Sequence, residues 1–334
     1  MIGMFALLFA AVLPADAAIP RYQHIFVIVE ENKDYARIVG SSDAPVITRL
    51  AKTYGSASRF YAETHPSEPN YVAMIGGSTY GIRDDDAFYC VPHDSRPYCG
   101  HSDRPGYVNH TIDAPNLATQ LEAAGLSWKN YEESLPAPGS LAVVSGYYAS
   151  KHSGFVNFAS VQRDPDRAQH LVGFDALERD LRSGDLPSFS MIVPNVCDEM
   201  HGAGRSGTPV DCRSDHPAAL IERGDREVEM LTREIMASPA WSQGNAAIVI
   251  TFDEDDGGGT EGCCGNDPAD PSNAGGGHIP TVVITNHGPR GEVDSTPYSH
   301  YSLLRTIEDA FGIHSYLMRA GAPGVVPMVD LFKT

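Results

Sequence analysis

Positive charge is what this chain has least of. Only 24 Lys and Arg stand against 43 Asp and Glu, a formal net charge of −19, which argues against non-specific binding to nucleic acid or to an anionic membrane surface. The same excess would repel an anionic substrate, unless a metal ion or local basic groups reverse the sign inside a site. Beyond the N-terminus there is no apolar run long enough to span a bilayer, so no stable membrane insertion is expected. There is no internal repeat, and no long linker that would cut the chain into separate domains. The cysteines form no repeated C-x-x-C, which counts against zinc ligation by them.

Apolar residues, at 42%, suffice for a packed core. The N-terminal "MIGMFALLFAAVLPADAAIP" carries an apolar run and then a small-x-small pattern ending near Ala17 or Ala18. It reads as an export signal over residues 1–18, although its start lacks Lys and Arg; a short membrane anchor is the alternative. A single catalytic domain over 19–334 would then be secreted or periplasmic. The six cysteines fit an oxidising compartment. Cys90 with Cys99 and Cys197 with Cys212 are the economical local pairs, whereas adjacent Cys263 and Cys264 could bridge each other, stay reduced or pair elsewhere. "NHT" at Asn109 is a glycosylation sequon.

"HIFVIVEEN" (24–32), "SFSMIVPNVCDEMHG" (188–202) and "AAIVITFDEDDGGG" (246–259) share one design, an apolar run ending in acids, amides or imidazoles. Each reads as a buried strand with polar groups at its C-terminal end. "HIPTVVITN" (278–286) is a fourth, with its polar group first. Helical spacing appears over 116–125, 174–184, 225–237 and 301–312, the last stopped by Gly312. This alternation predicts an α/β fold, a three-layer α/β/α sandwich with a mainly parallel sheet. Ligands bind such sheets beyond the C-terminal strand ends. The Gly-, Pro- and Asp-rich segments 83–115 and 255–277 read as loops over the sheet.

"HPSEPNYVAMIGGSTYG" (65–81) sets Ser67 before an apolar helix. It is either an N-cap or a nucleophile where helix N–H groups favour negative charge. A G-x-S-x-G elbow is missing, since its flanks are Pro66 and Pro69. Glu30, Glu31 and Asn32 end the first strand, and Asp253 and Glu254 end a later one: either two acidic turns or hard oxygen ligands converging on a divalent cation. A cation touching Ser67 would favour its alkoxide. Asp198 and His201, spaced D-x-x-H, could add a carboxylate and an imidazole for a second metal or for the leaving oxygen. His278 has the same reading beside that of a surface histidine. Lys151 and His152 could offer positive charge to phosphate oxygens or form a solvated turn. His65 and His110 are unspecific, and His300 reads as part of the last helix's cap. "DEDDGGGTEG" lacks the ligand spacing of an EF-hand.

Taken in order, "HIFVIVEEN", "THPSEPNYVAMIGGS", "VPNVCDEMH", "TFDEDDG" and "YSHYSLLRTIEDAFG" resemble the bacterial and fungal phosphoesterase family on the alkaline phosphatase fold. That family includes secreted acid phosphatases, phosphatidylinositol-3-phosphatase-like proteins and phosphocholine-type phospholipases C. The resemblance runs from about residue 22 to 313. It implies Ser67 as covalent nucleophile, with Asn70 in the amide position of an S-E-P-N stretch similar to the T-x-P-N of nucleotide pyrophosphatases. It further implies Glu31 with Asn32, and Asp253 with Glu254, as metal ligands together with Ser67, and Asp198 and His278 at the other metal position. His201 falls one residue early in the D-x-x-x-H register, and Glu254 stands where histidine is usual. One or two divalent ions (Ca, Mg, Mn or Zn) are therefore expected, with His152, His201 and Asn70 holding phosphate oxygens. The function implied is phosphomonoester hydrolysis through a phosphoserine, acting on small phosphomonoesters or phospholipid headgroups. A phospholipase C-type phosphodiesterase and a non-catalytic metal-binding module are the alternatives.

Overall fold

His24–Glu30 (β1) is buried along its whole length after His24, as a continuous apolar strand covered on both faces must be. It lies at the middle of a nine-stranded sheet. The computed structural model describes residues 18–86, 89–91, 93–96, 99 and 102–334. The expected leader, residues 1–17, lies outside the described residues. The remaining strands of the sheet are Gly55–Tyr61 (β2), Trp128–Glu132 (β3), Leu171–Val172 (β4), Phe189–Val193 (β5), Ala246–Phe252 (β6), His278–Thr285 (β7), Glu292–Asp294 (β8) and Tyr298–Ser299 (β9). Their order is β8-β2-β7-β6-β1-β5-β3-β4, with β9 also paired to β2. Only β7 runs antiparallel to its neighbours, β2 and β6; every other pairing in the sheet is parallel. Helices cover both sides, so the mainly parallel α/β architecture expected from the strand–helix alternation is the one observed.

The helices are Pro45–Thr53 (α1), Ser67–Gly76 (α2), Leu117–Ala123 (α3), Phe174–Ser183 (α4), Pro217–Ala237 (α5) and His300–Phe311 (α6), with shorter turns between. α6 starts on a Ser299 capping box and stops at Gly312, with φ 67°. α2 is buried at all ten positions and ends at Gly77, with φ 72°. A Cβ on Gly77 would lie 2.4 Å from the Leu317 carbonyl oxygen, so the helix ends where only glycine fits.

The periodic pattern did not give β2, β3, β4, β8, β9 or α1, nor the start of α5. β2, "GSASRFY", has no β-branched residue to mark it as a strand, and it begins at Gly55, where a Cβ would meet the Val283 carbonyl at 3.2 Å. α5 begins eight residues before the expected 225–237, its pattern interrupted by Gly224. A Cβ there would sit 2.4 Å from Met200 Cγ and 3.0 Å from the Asp198 carbonyl, so the gap lets α5 press against the loop after β5. The next residue, Asp225, accepts from Val46 N and Ile47 N at 2.8 Å each. It thereby caps α1, whose own Ala44 has no side chain to do so.

All described cysteines are paired, Cys90–Cys99, Cys197–Cys212 and the adjacent Cys263–Cys264, which leaves none for zinc. No helix among the described residues is long and apolar enough to cross a membrane.

Glu308 on α6 is fully buried; Leu317 N donates to its Oε1 at 2.8 Å while Oε2 has no partner. Burial pushes its pKa up to about 8. Between the ordinary carboxylate range and that value, the folded chain keeps a proton that the unfolded chain loses, so stability falls as pH rises through the window. Glu308→Gln keeps the acceptor and removes the titration. Its Tm should stay near or slightly below wild type at about pH 5 and exceed it at about pH 8. Thermal melts across that range test this, and parallel wild-type and variant curves would refute it.

Candidate active site

Two backbone bonds bring the acidic strand ends together. Asp253 N, just after β6, donates to the Glu30 carbonyl at 3.0 Å, and Glu31 N donates to the Glu199 carbonyl at 2.7 Å. β1 is thus tied at its end to β6 on one side and to the loop after β5 on the other. Asn32 then turns the chain out of the sheet at φ 55°, a left-handed conformation that Asn tolerates better than most residues. Its amide N–H donates to Asp253 Oδ1 at 3.0 Å and its Nδ2 to Glu31 Oε2 at 3.0 Å. Lys33 folds back, donating from Nζ to the carbonyls of Asn32 and Met200, both at 2.9 Å.

Ser67 is the first residue of α2. It does not cap the helix, because Pro66 holds the cap position without a side-chain bond. Its hydroxyl is turned toward two carboxylates instead, 3.1 Å from Glu31 Oε2 and 3.4 Å from Glu254 Oε1. Asn70 fixes the approach to the helix. Its Oδ1 accepts from Glu63 N and Thr64 N at 3.1 and 3.2 Å, and its Nδ2 donates to Thr64 O and Pro66 O at 2.8 and 3.2 Å. With both ends of a fully buried amide spent on backbone, Asn70 is not placed to hold phosphate oxygens. It shapes the loop that presents Ser67.

His152 lies between two acids, Nε2 at 3.3 Å from Glu31 Oε1 and Nδ1 at 2.7 Å from Glu199 Oε1. His201 stands beside it, ring centroids 5.3 Å apart, and its Nε2 is 3.3 Å from Lys151 Nζ. Glu31, His152 and His201 each offer a ligand atom within 4.8 Å of the others. His65 bonds Glu254 through Nδ1 at 2.5 Å.

Two expected ligands fall outside this cluster. Asp198 gives both oxygens to Arg223 of α5, at 2.7 and 3.0 Å, and faces away. The carboxylate delivered to the cleft is that of the next residue, Glu199, in a turn in which both Asp198 N and Glu199 N donate to the Asn195 carbonyl. His278 stacks on Tyr35 at a centroid distance of 4.6 Å and bonds the Ser58 carbonyl through Nε2 at 3.0 Å. It packs an edge of the sheet. Glu30 is fully buried, but points away from Ser67 as the alternation along a strand requires. His300, expected in a helix cap, is a buried partner of Glu63 and reaches the Phe252 carbonyl at 2.8 Å through Nε2.

Burial is the leading cause of every shift in the acid cluster. It pushes Glu31 and Glu254 up to about 7, and Glu199 and Asp253 well above the carboxylate range, with their mutual repulsion adding to it. Burial, reinforced by Lys151, lowers the His201 imidazole to about 4 and holds His152 well below its ordinary value, so both rings are neutral. For His65 burial acts downward, but the Glu254 bond outweighs it and raises the ring to about 9. Asp253 Oδ2 and Glu199 Oε2 are buried without a partner, and Glu31 Oε1 and Glu199 Oε1 have only the neutral His152 ring beside them. Orphaned anionic oxygens of this kind are costly unless a cation completes them. The donor set of carboxylates, a hydroxyl and neutral imidazoles fits a divalent ion.

The fold is similar to that of a solved protein of the alkaline phosphatase superfamily. A crystal structure from that superfamily, from Vibrio parahaemolyticus, superposes with a TM-score of 0.57 at 11% identity, over 95% of this chain and 72% of the other. The sequence model described as the Phosphoesterase family matches residues 40–314, and the chain belongs to that family. A phosphatidylinositol-3-phosphatase of Mycobacterium tuberculosis is 30% identical over 319 residues, 95% of this chain and 85% of its own length. An acid phosphatase of Aspergillus fumigatus is 25% identical over 88% of this chain, which spans 56% of that protein.

Asn70→Ala removes four bonds and leaves buried backbone groups unpaired. It should cost about 2–4 kcal/mol in denaturant melts and lower turnover with little change in KM. A raised KM at unchanged stability would instead mean that the amide contacts substrate.

Proposed function

We propose that the protein is a secreted or periplasmic, metal-dependent phosphomonoesterase of the acid phosphatase type, with Ser67 as its covalent nucleophile. The observation that carries this reading is the hydroxyl of Ser67 at a helix N-terminus, set between buried Glu31 and Glu254 and beside acids whose oxygens have no partner. Carboxylates at that distance leave the hydroxyl oxygen in a site built for positive charge. Glu31, Asp253, Glu254 and Glu199 are the residues that would hold the ion, with Asn32 adjoining. Once bound, a divalent ion lowers the pKa of a hydroxyl it touches and offsets charge on a phosphoryl oxygen.

The chain's own groups do the rest. Ser67 Oγ passes its proton to the Glu31 carboxylate 3.1 Å away and attacks phosphorus in line with the leaving alkoxide; the Oγ–P bond forms as the P–O(leaving) bond breaks. The first N–H groups of α2 and Lys151 face the equatorial oxygens, where charge collects, while His152, held between Glu31 and Glu199, and His201, bonded to the Gly202 carbonyl, fix Glu31 and Lys151 in place. The leaving oxygen takes its proton from solvent, since, burial notwithstanding, Asp85 and Glu31 hold Lys151 charged and both ring nitrogens of His65 are bonded, to Glu254 and to the Gly259 carbonyl. Water entering from the vacated side then releases phosphate and restores the Ser67 hydroxyl. The three disulfides and the leader-like N-terminus support an oxidising, exported location.

Ser67→Ala should lose phosphoenzyme and at least about a thousandfold in kcat for p-nitrophenyl phosphate. Chelation should abolish wild-type turnover, and divalent ions should restore it. Near-native turnover by Ser67→Ala would exclude the nucleophile assignment, a preference for bis-p-nitrophenyl phosphate would make the enzyme a diesterase, and inactivity towards both esters would leave a metal-binding module.

A further inference from the structure

The acidic run Asp84-Asp85-Asp86 has no part in the chemistry above, yet it is fastened to the residue next to the nucleophile. Asp85 Oδ1 accepts from Glu68 N at 3.1 Å, and its Oδ2 accepts from Lys151 Nζ at 2.9 Å. On one flank Asp84 lies 3.0 Å from His110 Nε2, whose Nδ1 is bonded to Glu68 Oε1 at 2.9 Å. On the other Asp86 pairs with Arg104 at 3.3 Å. Glu68 therefore grips the strap twice, by its backbone amide and through His110.

The donors that Asp85 has taken are those a phosphoryl group on Ser67 would need. Glu68 N–H is the helix amide immediately after the nucleophile. Lys151 is the ammonium within 3.3 Å of His201 Nε2, and the other lysine of the cleft, Lys33, is spent on backbone carbonyls. A carboxylate across a helix amide and an ammonium makes two of the contacts that a phosphate's oxygens make. It is also within reach of an incoming anion: residues 82–86 form no helix or strand, and the side chain of Asp85 is 27% exposed.

We infer that Asp85 is an internal competitor for phosphate: its carboxylate occupies the Glu68 amide and Lys151 in the resting site, must be displaced when a phosphoryl group binds, and so sets the site's affinity for substrate and for product phosphate. The inference rests on the reading of Ser67 as the nucleophile for its choice of ligand. Its physical content is a competition between two anions for the same two donors. An enzyme releasing a multiply charged anion from a site built of cations and dipoles holds its product tightly, and a tethered carboxylate that returns to Lys151 loosens that hold.

Titration calorimetry of inorganic phosphate into the full chain as purified, near neutral pH, tests this without turnover. Asp85→Asn keeps the shape and removes the charge, and should bind phosphate about tenfold more tightly, with a parallel fall in the inhibition constant of phosphate. Asp85→Ser should move the same way. Lys151→Ala should weaken binding and erase most of the gain when combined with Asp85→Asn, since the two anions share that ammonium. Unchanged, weaker or undetectable phosphate binding by Asp85→Asn would overturn the inference and make Asp85 a residue that orients Lys151. Near-native turnover by Ser67→Ala would remove the nucleophile assignment while leaving the calorimetry to decide on Asp85.

Discussion

The structure depends on the burial of like charges. Glu31, Glu199 and Asp253 are withdrawn from water at the end of one sheet, close enough to raise one another's pKa values. Two carboxylates a few ångströms apart cost several kcal/mol at the effective dielectric of a protein interior, and desolvation adds to that. A fold meets such a cost when something bound returns it. The supporting contacts are all of a kind that holds the acids in place without neutralising them: backbone bonds from Asp253 to β1 and from β1 to the Glu199 carbonyl, and an Asn32 amide on each of two carboxylates.

The loop that carries Ser67 and the acidic strand end are joined from behind by the same logic. Asn70 binds the backbone of Glu63 and Thr64, Glu63 pairs with His300 of α6, and His300 reaches the carbonyl that precedes Asp253. The position of Ser67 relative to Asp253 is therefore set by a closed chain of polar contacts through the core. Such a chain tolerates little change in any link, because each member is buried and has no water to fall back on. It also explains why the final helix, far along the sequence from Ser67, lies within the stretch that resembles the phosphoesterase family.

The large apolar strands were legible in the sequence because burial on both faces writes itself as unbroken hydrophobic runs. The site was legible in the polar tips of those runs: Glu31, Asn32, Asp253 and Glu254 come to Ser67 because parallel strands deliver their C-terminal ends to one edge. What the sequence hid follows from geometry that no period encodes. Asp198 and Glu199 are chemically equivalent on paper, and the turn closed on the Asn195 carbonyl sends one to Arg223 and the other to His152. Asn70 matches a motif, but whether its amide meets substrate or backbone depends on the path of the loop before it. His278 begins a strand as expected, and the pleat sends it against Tyr35 instead of the acids. β2 was unreadable because "GSASRFY" lacks the β-branched residues that mark a strand.

The excess of acid over base takes a particular form in the cleft. Of the cations near Ser67, Lys33 is spent on backbone carbonyls, Lys151 on Asp85, and the raised His65 on Glu254. His152 and His201 are held neutral by burial and by Lys151. The resident side chains thus leave no free positive charge facing the hydroxyl, so an anionic ester cannot be drawn in by them alone. Attraction has to come from an ion held by the acids, from the dipole of α2, and from Lys151 once Asp85 lets go. The acids that make the chain repel phosphate at long range are, at short range, the groups suited to gather the charge that binds it.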